Sequence, residues 1–346
     1  MFADTLLAWY EDNRRTLPWR GESDPYKIWV SEIILQQTRV QQGWDYYLRF
    51  IEAFPTVGAL ARAPEEQVLR VWQGLGYYSR ARNMHAAAQQ IMQVHQGTFP
   101  NRYEDIRALK GIGDYTAAAI ASIAFHLPHP AVDGNVLRIC SRIFGVCDDI
   151  MLPATRKQIT EICAKHIPKD DPGTFNQACM EFGALWCTPK NPKCDACPFR
   201  STCYALKHGL TETLPLKSKS KDKRDRYFHF TFYLYKHLTV LEKRSGQDIW
   251  RNLYQFPLLE SPTKPTCHGN DKSPVLELKE TLSHQIIHGF FYLKKAKKQP
   301  KLTDNQILVD IDNIRDYPMP KIMTQFVERV LDPDSTTEYT LKHLTK

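Results

Sequence analysis

The sequence has no run of 18 or more apolar residues, which excludes an evident membrane-spanning helix. Its N-terminus, Met1-Phe2-Ala3-Asp4, lacks the basic segment and apolar stretch of a secretory signal. Without an export signal, a disulfide framework is not expected in a chain of this length. We therefore expect a cytoplasmic protein in a reducing setting, associated with the nucleoid if the source is bacterial.

Neither charge nor composition departs far from that of ordinary globular proteins. Hydrophobic residues make up 42% of the 346 residues and charged residues 24%, which excludes a disordered, collagen-like or fibrous chain. At about 150 residues per domain, the length predicts two domains. The formal net charge of +8, from 46 basic and 38 acidic side chains, is compatible with a polyanionic partner but does not identify one.

Alternating polar and apolar residues are almost absent from residues 1–186, so this part is predicted to be helical throughout. Asp24-Pro25 forms a helix start, and apolar residues at helical spacing then predict one helix over residues 26–54, ended by Pro55. Further helices are predicted at Pro64–Trp72, Ser79–Val94, Tyr103–Leu109, Tyr115–Phe125, Gly134–Phe144, Ala154–His166 and Thr174–Cys187.

The character of the sequence changes after Cys203. Residues 211–226 end in a polar, basic run that predicts a linker, with a phosphate-contacting strap as the alternative. The aromatic stretch Tyr227–Tyr235 predicts a strand, and mixed strand and helix patterns follow. We therefore expect a helical domain over residues 1–210, a second domain over 227–332 and a flexible tail over 333–346.

Four of the nine cysteines form a cluster with the spacing Cys-x6-Cys-x2-Cys-x5-Cys, at Cys187, Cys194, Cys197 and Cys203. Four thiolates at this spacing suit a structural zinc ion or an iron–sulfur cluster. The unequal intervals and the intervening prolines favour an iron–sulfur cluster, and zinc stays open at this point. Four protein ligands leave no free coordination position, so the group is expected to order a loop. The five other cysteines are expected to be buried small hydrophobes.

A turn with two glycines, Leu109-Lys110-Gly111-Ile112-Gly113-Asp114, joins two predicted helices. Gly111 and Gly113 permit a tight turn and the close approach of a ligand to the backbone. The amide groups at the start of the next helix attract anions. The pattern is therefore compatible with phosphate binding, and also with an ordinary connection between helices.

Two carboxylates stand in different settings. Glu32 lies in an apolar helical stretch, where burial would raise its pKa and let it hold a proton as a general acid; the alternative is an exposed position. Asp133 is predicted to be the N-cap of the following helix, whose amide groups favour the ionised form, although capping alone would account for it. One protonated and one ionised carboxyl group form the arrangement expected for cleaving a glycosidic bond through a cationic sugar.

The hairpin, Asp133 and the cysteine cluster together resemble the helix-hairpin-helix DNA glycosylases with an iron–sulfur loop, over residues 1–210. Within that superfamily, five motifs resemble the adenine-DNA glycosylase (MutY) family. They are Leu17-Pro18-Trp19-Arg20, Ser31-Glu32-Ile33-Ile34-Leu35-Gln36-Gln37-Thr38, Gly74-Leu75-Gly76-Tyr77-Tyr78-Ser79-Arg80, Asp133-Gly134-Asn135-Val136 and Asn176-Gln177-Ala178.

The second part of the chain resembles the C-terminal domain of the same family. Residues 249–257 resemble its strand that runs from Trp to Phe-Pro, with Asn252 where the family has Gly. Leu282-Ser283-His284 resembles its loop that recognises 8-oxoguanine, with Leu282 where the family usually has Phe. The acidic metal-binding pattern of Nudix hydrolases is missing from the sequence, so pyrophosphate hydrolysis is not expected.

The resemblance implies a multi-domain fold, with an all-α helix-hairpin-helix glycosylase domain, a [4Fe–4S] loop at residues 187–203 and a C-terminal α/β Nudix-like domain. It implies that Glu32 protonates adenine at N7 and then helps to activate water. Asp133 would stabilise the oxocarbenium ion or bond covalently to the sugar. Asn135 and Tyr115 would hydrogen-bond to this pair.

The resemblance gives the remaining candidates binding roles. Trp19, Arg20 and Gln177 would line the adenine pocket, and Gln37, Leu75 and Tyr77 would probe the gap left in the duplex, with Thr38 also among the substrate-binding residues. Ser283 and His284 would recognise 8-oxoguanine, Gly111 and Gly113 would bind the DNA backbone, and the four clustered cysteines would hold the [4Fe–4S] cluster. Without the resemblance, Trp19 and Leu75 would be interpreted as core residues and Gln37 as a helix surface group.

The implied function is hydrolysis of the N-glycosidic bond of adenine mispaired with 8-oxoguanine or guanine in double-stranded DNA, by a monomer that needs no membrane. Related glycosylase/lyases carry Lys where Tyr115 stands, and a Schiff base needs an amine, so efficient strand cleavage is not expected. Two alternatives stay open, namely a mismatch thymine or pyrimidine glycosylase and a non-catalytic iron–sulfur DNA-binding protein. Gln177 and the C-terminal domain argue against the first, and the presence of Glu32 with Asp133 argues against the second.

Overall fold

The structure, a computed structural model, describes residues 2–218, 222–264 and 273–331. The chain separates into two compact units: unit 1 is Met1–Arg62 with Asn83–Lys219, and unit 2 is Ala63–Arg82 with Ser220–Lys346. Residues 63–82, which belong in sequence to the helical part, are therefore grouped with unit 2. The expected tail at 333–346 and the centre of the expected linker, residues 219–221, lie outside the described residues. The expected domain limits stay predictions.

Helices form the described part of unit 1. Among them α11 contacts α1, α8 and α9, and α2 contacts α3 and α8. Phe175 and Phe182 of α11 are fully buried and join Leu6 of α1 in one hydrophobic core. The helices up to residue 218 in chain order are α1 (Phe2–Asn13), α2 (Pro25–Leu35), α3 (Val40–Ala53), α4 (Val57–Arg62), α5 (Glu65–Val71), α6 (Ser79–Val94), α7 (Tyr103–Arg107), α8 (Asp114–Phe125), α9 (Gly134–Phe144), α10 (Pro153–His166), α11 (Pro172–Leu185) and α12 (Tyr204–Lys207). Of these, α5 and the start of α6 belong to unit 2.

Helix starts follow the local sequence. The Asp24 side chain accepts a hydrogen bond from the backbone N–H of Tyr26, with Pro25 as the first helical residue, so the predicted start of α2 is confirmed. Asp133 is the N-cap of α9, also as predicted. Both caps satisfy N–H groups that the helix itself leaves without partners.

The single helix predicted over residues 26–54 is wrong, because the structure contains α2 and α3 with a break between them. Gln37, in the break, has a φ of 57°, which lies outside the helical region. Gly43 of α3 then lies so close to Leu35 that a Cβ atom at this position would be 2.9 Å from Leu35 Cδ2. The break therefore lets α3 fold back against the end of α2.

Unit 2 contains two β-sheets. The first has the strand order β4-β1-β6-β5, with β1 parallel to β6 and antiparallel to β4, and the second has the order β3-β2-β7. The strands are β1 (Arg224–Leu234), β2 (Leu238–Lys243), β3 (Tyr254–Gln255), β4 (Leu258–Ser261), β5 (Leu276–Thr281), β6 (Gln285–Lys295) and β7 (Gln306–Asp310). A 3-10 helix (Ile311–Asp316), α13 (Lys321–Phe326) and a π-helical turn (Val327–Leu331) follow.

The aromatic strand predicted over residues 227–235 is confirmed by β1. Phe228, Phe230 and Phe232 are fully buried at alternate positions, as one face of a half-buried strand requires. The strand begins at Arg224, inside the expected linker, because Arg224 already pairs with Gln285 of β6. The prediction of a helical part followed by a mixed α/β part is therefore confirmed, and likeness to Nudix hydrolases stays a prediction.

Within residues 2–218, 222–264 and 273–331, no helix has both the length and the apolar character needed to cross a membrane.

Of the five cysteines outside the cluster, Cys140, Cys163 and Cys179 are buried as predicted, but Cys147 is exposed. Cys147 follows the helix-ending Gly145 and so lies beyond the buried face of α9. Cys267 lies outside the described residues.

Candidate active site

A cavity of about 200 Å³ in unit 1 lies where α2, α8, α9 and α11 meet the segment between α1 and α2. Its walls include eight of the residues predicted for the site: Trp19, Arg20, Glu32, Thr38, Tyr115, Asp133, Asn135 and Gln177. Residues from five separate parts of the sequence therefore converge on one hollow.

Glu32 lies on the buried side of α2, with 8% of its surface exposed. The Tyr115 hydroxyl on α8 donates a hydrogen bond of 2.7 Å to Glu32 Oε2. Burial raises the pKa of Glu32 and the charge of Asp133 adds to the rise, against the opposing effects of the Tyr115 hydrogen bond and of Arg20. The prediction of a buried carboxyl group with a raised pKa is confirmed, and the exposed alternative is excluded.

Asp133 accepts three hydrogen bonds of 2.8 Å, from the backbone N–H groups of Asn135 and Val136 and from Asn135 Nδ2. These donors favour the ionised carboxylate, as predicted. Burial has the larger effect, however, and the pKa of Asp133 is raised. The sequence indicated the effect of the helix amides but not the larger effect of burial, because it does not reveal how deeply the N-cap is enclosed.

The cavity wall also carries Trp19, Arg20 and Gln177, which have aromatic neighbours. Trp19 packs edge to face on Tyr47, with ring centroids 5.5 Å apart. The Tyr10 hydroxyl donates to Gln177 Oε1 at 3.1 Å, and the Arg20 guanidinium lies over the Tyr10 ring at 5.8 Å. Arg20 and Gln177, predicted to act together, thus share Tyr10 as a neighbour.

Two residues predicted to bind the substrate, Gln37 and Thr38, follow the end of α2 and differ in position. Thr38 lines the cavity, whereas Gln37 is exposed and is not among the lining residues. The structure therefore brings Thr38, but not Gln37, to the carboxylates.

Several residues that the sequence patterns did not indicate support these side chains. Glu181 of α11, with 1% of its side chain exposed, accepts hydrogen bonds from Arg15 and Arg20. Arg138 of α9 donates to Asn135 Oδ1 at 2.9 Å and to the backbone oxygen of Cys187 at 2.8 Å. The four-residue spacing of Glu181 from Gln177, one helical turn, was the available signal for its placement.

Asn176, from one of the quoted motifs, holds the chain that leads to Asp133. Its Oδ1 accepts from the backbone N–H of Ala131 at 3.0 Å, and its Nδ2 donates to the backbone oxygen of His129 at 2.8 Å. Asn176 therefore supports the segment before α9 and does not line the cavity, whereas Gln177 of the same motif does.

The glycine hairpin connects α7 with α8. Gly111 has a φ of 79°, and a Cβ atom there would lie 2.6 Å from Asn83 Cβ, so glycine is required. Gly113 is the N-cap of α8, where a Cβ atom would have open space. Both glycines are exposed, which leaves the amide groups at the start of α8 accessible to an anion.

The four clustered cysteines line a second cavity of unit 1, with apolar walls that include Phe182 and Leu206. The buried Arg142 lies against it, and its Nη1 is 3.5 Å from Cys187 Sγ. Four sulfur atoms, an apolar enclosure and one N–H donor to sulfur fit an iron–sulfur cluster.

The remaining predicted residues lie in unit 2. Leu75 is buried, whereas Tyr77 is 44% exposed and has a φ of 47°. The hydroxyl groups of Tyr77 and Ser283 are 2.8 Å apart in a hydrogen bond. Ser283 and the exposed His284 lie in the turn between β5 and β6. The structure thus brings together two residues predicted for different tasks.

The sequence matches two family models. Residues 30–169 match the HhH-GPD superfamily of base excision DNA repair proteins, and residues 187–203 match the iron–sulfur binding domain of endonuclease III. The second match contains all four clustered cysteines, so the prediction of an iron–sulfur cluster is confirmed and zinc is set aside.

Solved structures show the same helical fold. A thermostable thymine-DNA glycosylase is 27% identical, with a TM-score of 0.55, and the match covers 60% of this chain and 95% of that chain. A non-covalent endonuclease III–DNA complex matches with 22% identity and a TM-score of 0.52 over the same shares of the two chains.

Curated relatives extend the match into unit 2. The adenine DNA glycosylase of Buchnera aphidicola subsp. Baizongia pistaciae is 39% identical over 302 residues, 85% of this chain and 84% of that protein. That of Buchnera aphidicola subsp. Schizaphis graminum is 32% identical over 341 residues, 95% and 98% of the two chains. The human adenine DNA glycosylase is 39% identical over 222 residues, 62% of this chain and 41% of that protein. With two relatives aligned over most of their length, and with a glycosylase fold around paired carboxylates, the chain belongs to the adenine DNA glycosylase family.

Proposed function

We propose that the protein hydrolyses the N-glycosidic bond of adenine mispaired with 8-oxoguanine or guanine in duplex DNA, as a step of base excision repair. One observation carries the chemistry: Glu32 and Asp133, from distant parts of the chain, line the same cavity as Arg20 and Gln177. A buried acid and a second carboxylate around one hollow suit cleavage through a cationic sugar.

Glu32 is the general acid of the proposed reaction. Burial raises its pKa, which favours the protonated form that a general acid needs. Tyr115 occupies Oε2, so the proton reaches adenine N7 from Oε1. As the bond between the sugar C1′ and adenine N9 breaks, its electron pair stays with the protonated base, which leaves as a neutral molecule. Glu32, now a carboxylate, accepts a proton from the water that attacks C1′.

Asp133 faces the positive charge that develops on the sugar. Its three N–H donors favour its ionised form over that of Glu32, which accepts a hydrogen bond only from Tyr115 among the described residues. When one proton is shared between the two carboxyl groups, it therefore resides on Glu32. The negative charge on Asp133 then stabilises the oxocarbenium ion.

The enclosed position of the two carboxyl groups requires the nucleotide to leave the double helix before it reacts. Extrusion costs a few kcal/mol and is cheapest at a mispair, which favours mispaired adenine. In this proposal Trp19, Arg20 and Gln177 contact the extruded base, and Leu75 and Tyr77 enter the gap that it leaves, with Gln37 at its edge. Ser283 and His284 contact 8-oxoguanine on the opposite strand.

The iron–sulfur cluster has a supporting role in this proposal. Cys187, Cys194, Cys197 and Cys203 hold it, and a cluster with four protein ligands supplies rigidity to the loop rather than a reactive position. Arg138 reaches the carbonyl of Cys187 from α9, so the loop is tied to the helix that Asp133 caps.

The decisive experiment measures free base released from duplexes that hold adenine opposite 8-oxoguanine, adenine opposite guanine, and thymine opposite guanine. We expect adenine release from the first two and no thymine release from the third. Because one structural neighbour is a thymine-DNA glycosylase, the thymine duplex is the necessary comparison. Release of thymine in place of adenine would overturn the proposal.

A further inference from the structure

The turn between β5 and β6, which carries Ser283 and His284, is held in place by the residues on either side of it. The backbone N–H of Leu282 donates to the backbone oxygen of Gln285 at 2.8 Å, which closes the turn. The backbone N–H of Arg224, the first residue of β1, donates to the backbone oxygen of His284 at 3.1 Å. Gln285 begins β6 and pairs with Arg224 in the sheet. The position of the turn therefore depends on how Gln285 is held against β1.

Arg226 of β1 holds the side chain of Gln285. Its Nη1 donates to Gln285 Oε1 at 3.0 Å and to Asp248 Oδ1 at 3.0 Å. Its Nη2 donates to Asp248 Oδ2 at 2.8 Å and to Glu260 Oε2 at 2.7 Å, and its Nε donates to Glu260 Oε1 at 2.8 Å. A guanidinium has five N–H donors, and all five are used here. Arg226 is therefore fixed in one position, from which it fixes Gln285.

The surroundings of Arg226 suit a permanent charge. Its side chain is 11% exposed, and its guanidinium carbon lies 4.7 Å from the ring centroid of Phe228. Hydrogen bonds from Arg226 lower the pKa of Glu260. Burial would raise the pKa of Asp248, but hydrogen bonds from Arg226 and the charges of Arg226 and Arg244 lower it. Both acids are therefore carboxylates at neutral pH, and they balance the two arginines.

These contacts give a role to the end of the basic run that was predicted as a linker, with a phosphate-contacting strap as the alternative. All five donors of Arg226 face protein acceptors, so none is left for a phosphate. Lys223 Nζ donates to the backbone oxygen of Leu282 at 2.9 Å. The end of the run therefore contacts the turn and the residue that follows it.

We propose that Arg226 is a positioning residue for recognition of the base opposite adenine: by holding Gln285, it keeps Ser283 and His284 where they can contact 8-oxoguanine. The inference rests on the proposed function. 8-Oxoguanine differs from guanine by an oxygen on C8 and a hydrogen on N7, so one or two hydrogen bonds must distinguish the two bases. Hydrogen bonds weaken steeply as their geometry departs from the ideal, so a displaced turn would touch the base without distinguishing it.

The test compares the single-turnover rates of adenine release from duplexes with adenine opposite 8-oxoguanine and opposite guanine. Arg226→Lys keeps the charge, but a lysine ammonium lacks the planar fork that reaches Gln285, Asp248 and Glu260 together. The ratio of the two rates should fall by about 3- to 10-fold, the effect of one hydrogen bond. The rate with guanine should change little. A folding defect alone would lower the active fraction on both duplexes and leave the ratio unmoved.

A second variant reaches the same contact from the other side. Gln285→Leu keeps the size of the side chain but removes the acceptor, so it should lower the ratio by a similar factor. The double variant of Arg226→Lys and Gln285→Leu should lower the ratio no further than the more severe single variant, because both changes remove one shared interaction.

Arg244→Lys is the matched control. Arg244 is 12% exposed and bonds to Asp248 at 2.9 Å, as Arg226 does at 2.8 Å. Its other side-chain hydrogen bonds reach the backbone oxygen of Ile249 at 3.0 Å and Gln255 Oε1 at 3.1 Å, not the start of β6. The variant should therefore keep the wild-type ratio, even where it unfolds at a lower temperature.

An equal fall of the ratio in Arg244→Lys would overturn the inference, and so would an unmoved ratio in Arg226→Lys and Gln285→Leu. If Arg226→Lys does not fold, Gln285→Leu decides alone. A wild-type protein that shows no preference for adenine opposite 8-oxoguanine would instead overturn the proposed function, and the inference with it.

Discussion

The two carboxyl groups differ less in burial than in the donors that face them. Burial raises the pKa of both Glu32 and Asp133, but Asp133 caps a helix and accepts three N–H groups, while Glu32 accepts one O–H group. The difference in proton occupancy that the reaction needs therefore comes from hydrogen bonds. Helix capping, which would by itself explain Asp133, supplies those hydrogen bonds.

Glu32→Gln should abolish adenine release. The amide keeps the size of the side chain but has no acidic proton, and general acid catalysis contributes about 10²- to 10⁴-fold. Single-turnover rates measure the loss, and duplex affinity should stay near that of the wild type. Glu52→Gln, an exposed position on α3, is the matched control. Turnover unchanged in Glu32→Gln would disprove the assigned acid.

The pH dependence should follow from the same groups. Glu32 must be protonated and its pKa is raised, so the rate should fall as pH increases through a midpoint above the ordinary glutamate value of 4.5. Asp133 must be ionised and its pKa is also raised, so the rate should fall again on the acid side. Single-turnover rates across pH test both limbs, and a profile without an alkaline decline contradicts the role of Glu32.

In the proposed reaction, Tyr115 determines whether the DNA strand is cut. A phenol forms no Schiff base, so borohydride added during the reaction should trap no stable protein–DNA adduct. Tyr115→Lys supplies the missing amine beside Glu32 and serves as the positive comparison. Efficient trapping by the wild-type protein would refute the assignment of base removal without strand cleavage.

At the scale of secondary-structure elements, the connections between helices shape the fold as much as the helices do. The break between α2 and α3 contains neither Gly nor Pro, so no local signal separates it from the long apolar pattern around it. The hairpin before α8 is the opposite case, because Gly111 and Gly113 are visible in the sequence. Their environments are nevertheless unlike, since only Gly111 combines a positive φ with a close neighbour.

Gly111→Ala should destabilise the hairpin and weaken DNA binding. A non-glycine residue at positive φ costs about 1–3 kcal/mol, and its Cβ would collide with Asn83. Thermal unfolding measures the loss of stability, and duplex titration measures the loss of affinity. Gly113→Ala is the matched comparison for stability, because a Cβ atom there meets nothing within 4 Å. Equal stability of the two variants would show that the hairpin tolerates a side chain.

At the scale of the whole chain, residues 63–82 are the main departure from sequence order. They carry Leu75 and Tyr77, and they group with the β-sheets of unit 2. Tyr78 donates to the backbone oxygen of Met319 at 2.9 Å, and Tyr77 meets Ser283. Two residues proposed to enter the duplex thus share a unit with the loop proposed to read the opposite base.

Changing Ser283 and His284 to alanine should weaken the preference for adenine opposite 8-oxoguanine over adenine opposite guanine. Loss of one or two hydrogen bonds predicts a fall in the rate ratio of about 5- to 30-fold. The rates on the two duplexes, measured side by side, give the ratio. A double change at Ser245 and His237, both exposed, is the control. An unmoved ratio would remove the recognition role from this loop.

Much of the site was predictable because its signals are local. Asp24 and Asp133 are caps that depend on residues within one helical turn, the aromatic alternation of β1 depends on its neighbours, and the cysteine spacing lies within one loop. The pairing of Arg15 with Glu181, and the contact of Arg138 with the backbone oxygen of Cys187, had no comparable pattern, since only the fold brings these partners near.

The linear sequence alone thus determined the chemistry that is present: which acids, which thiols, which turns and which helical starts. Only the three-dimensional packing decided how those groups behave, because burial and charge depend on residues far apart in the chain. It raised the pKa of Asp133 against the effect of its own helix, divided residues 26–54 into two helices, and placed Glu181 between two arginines at the cavity wall.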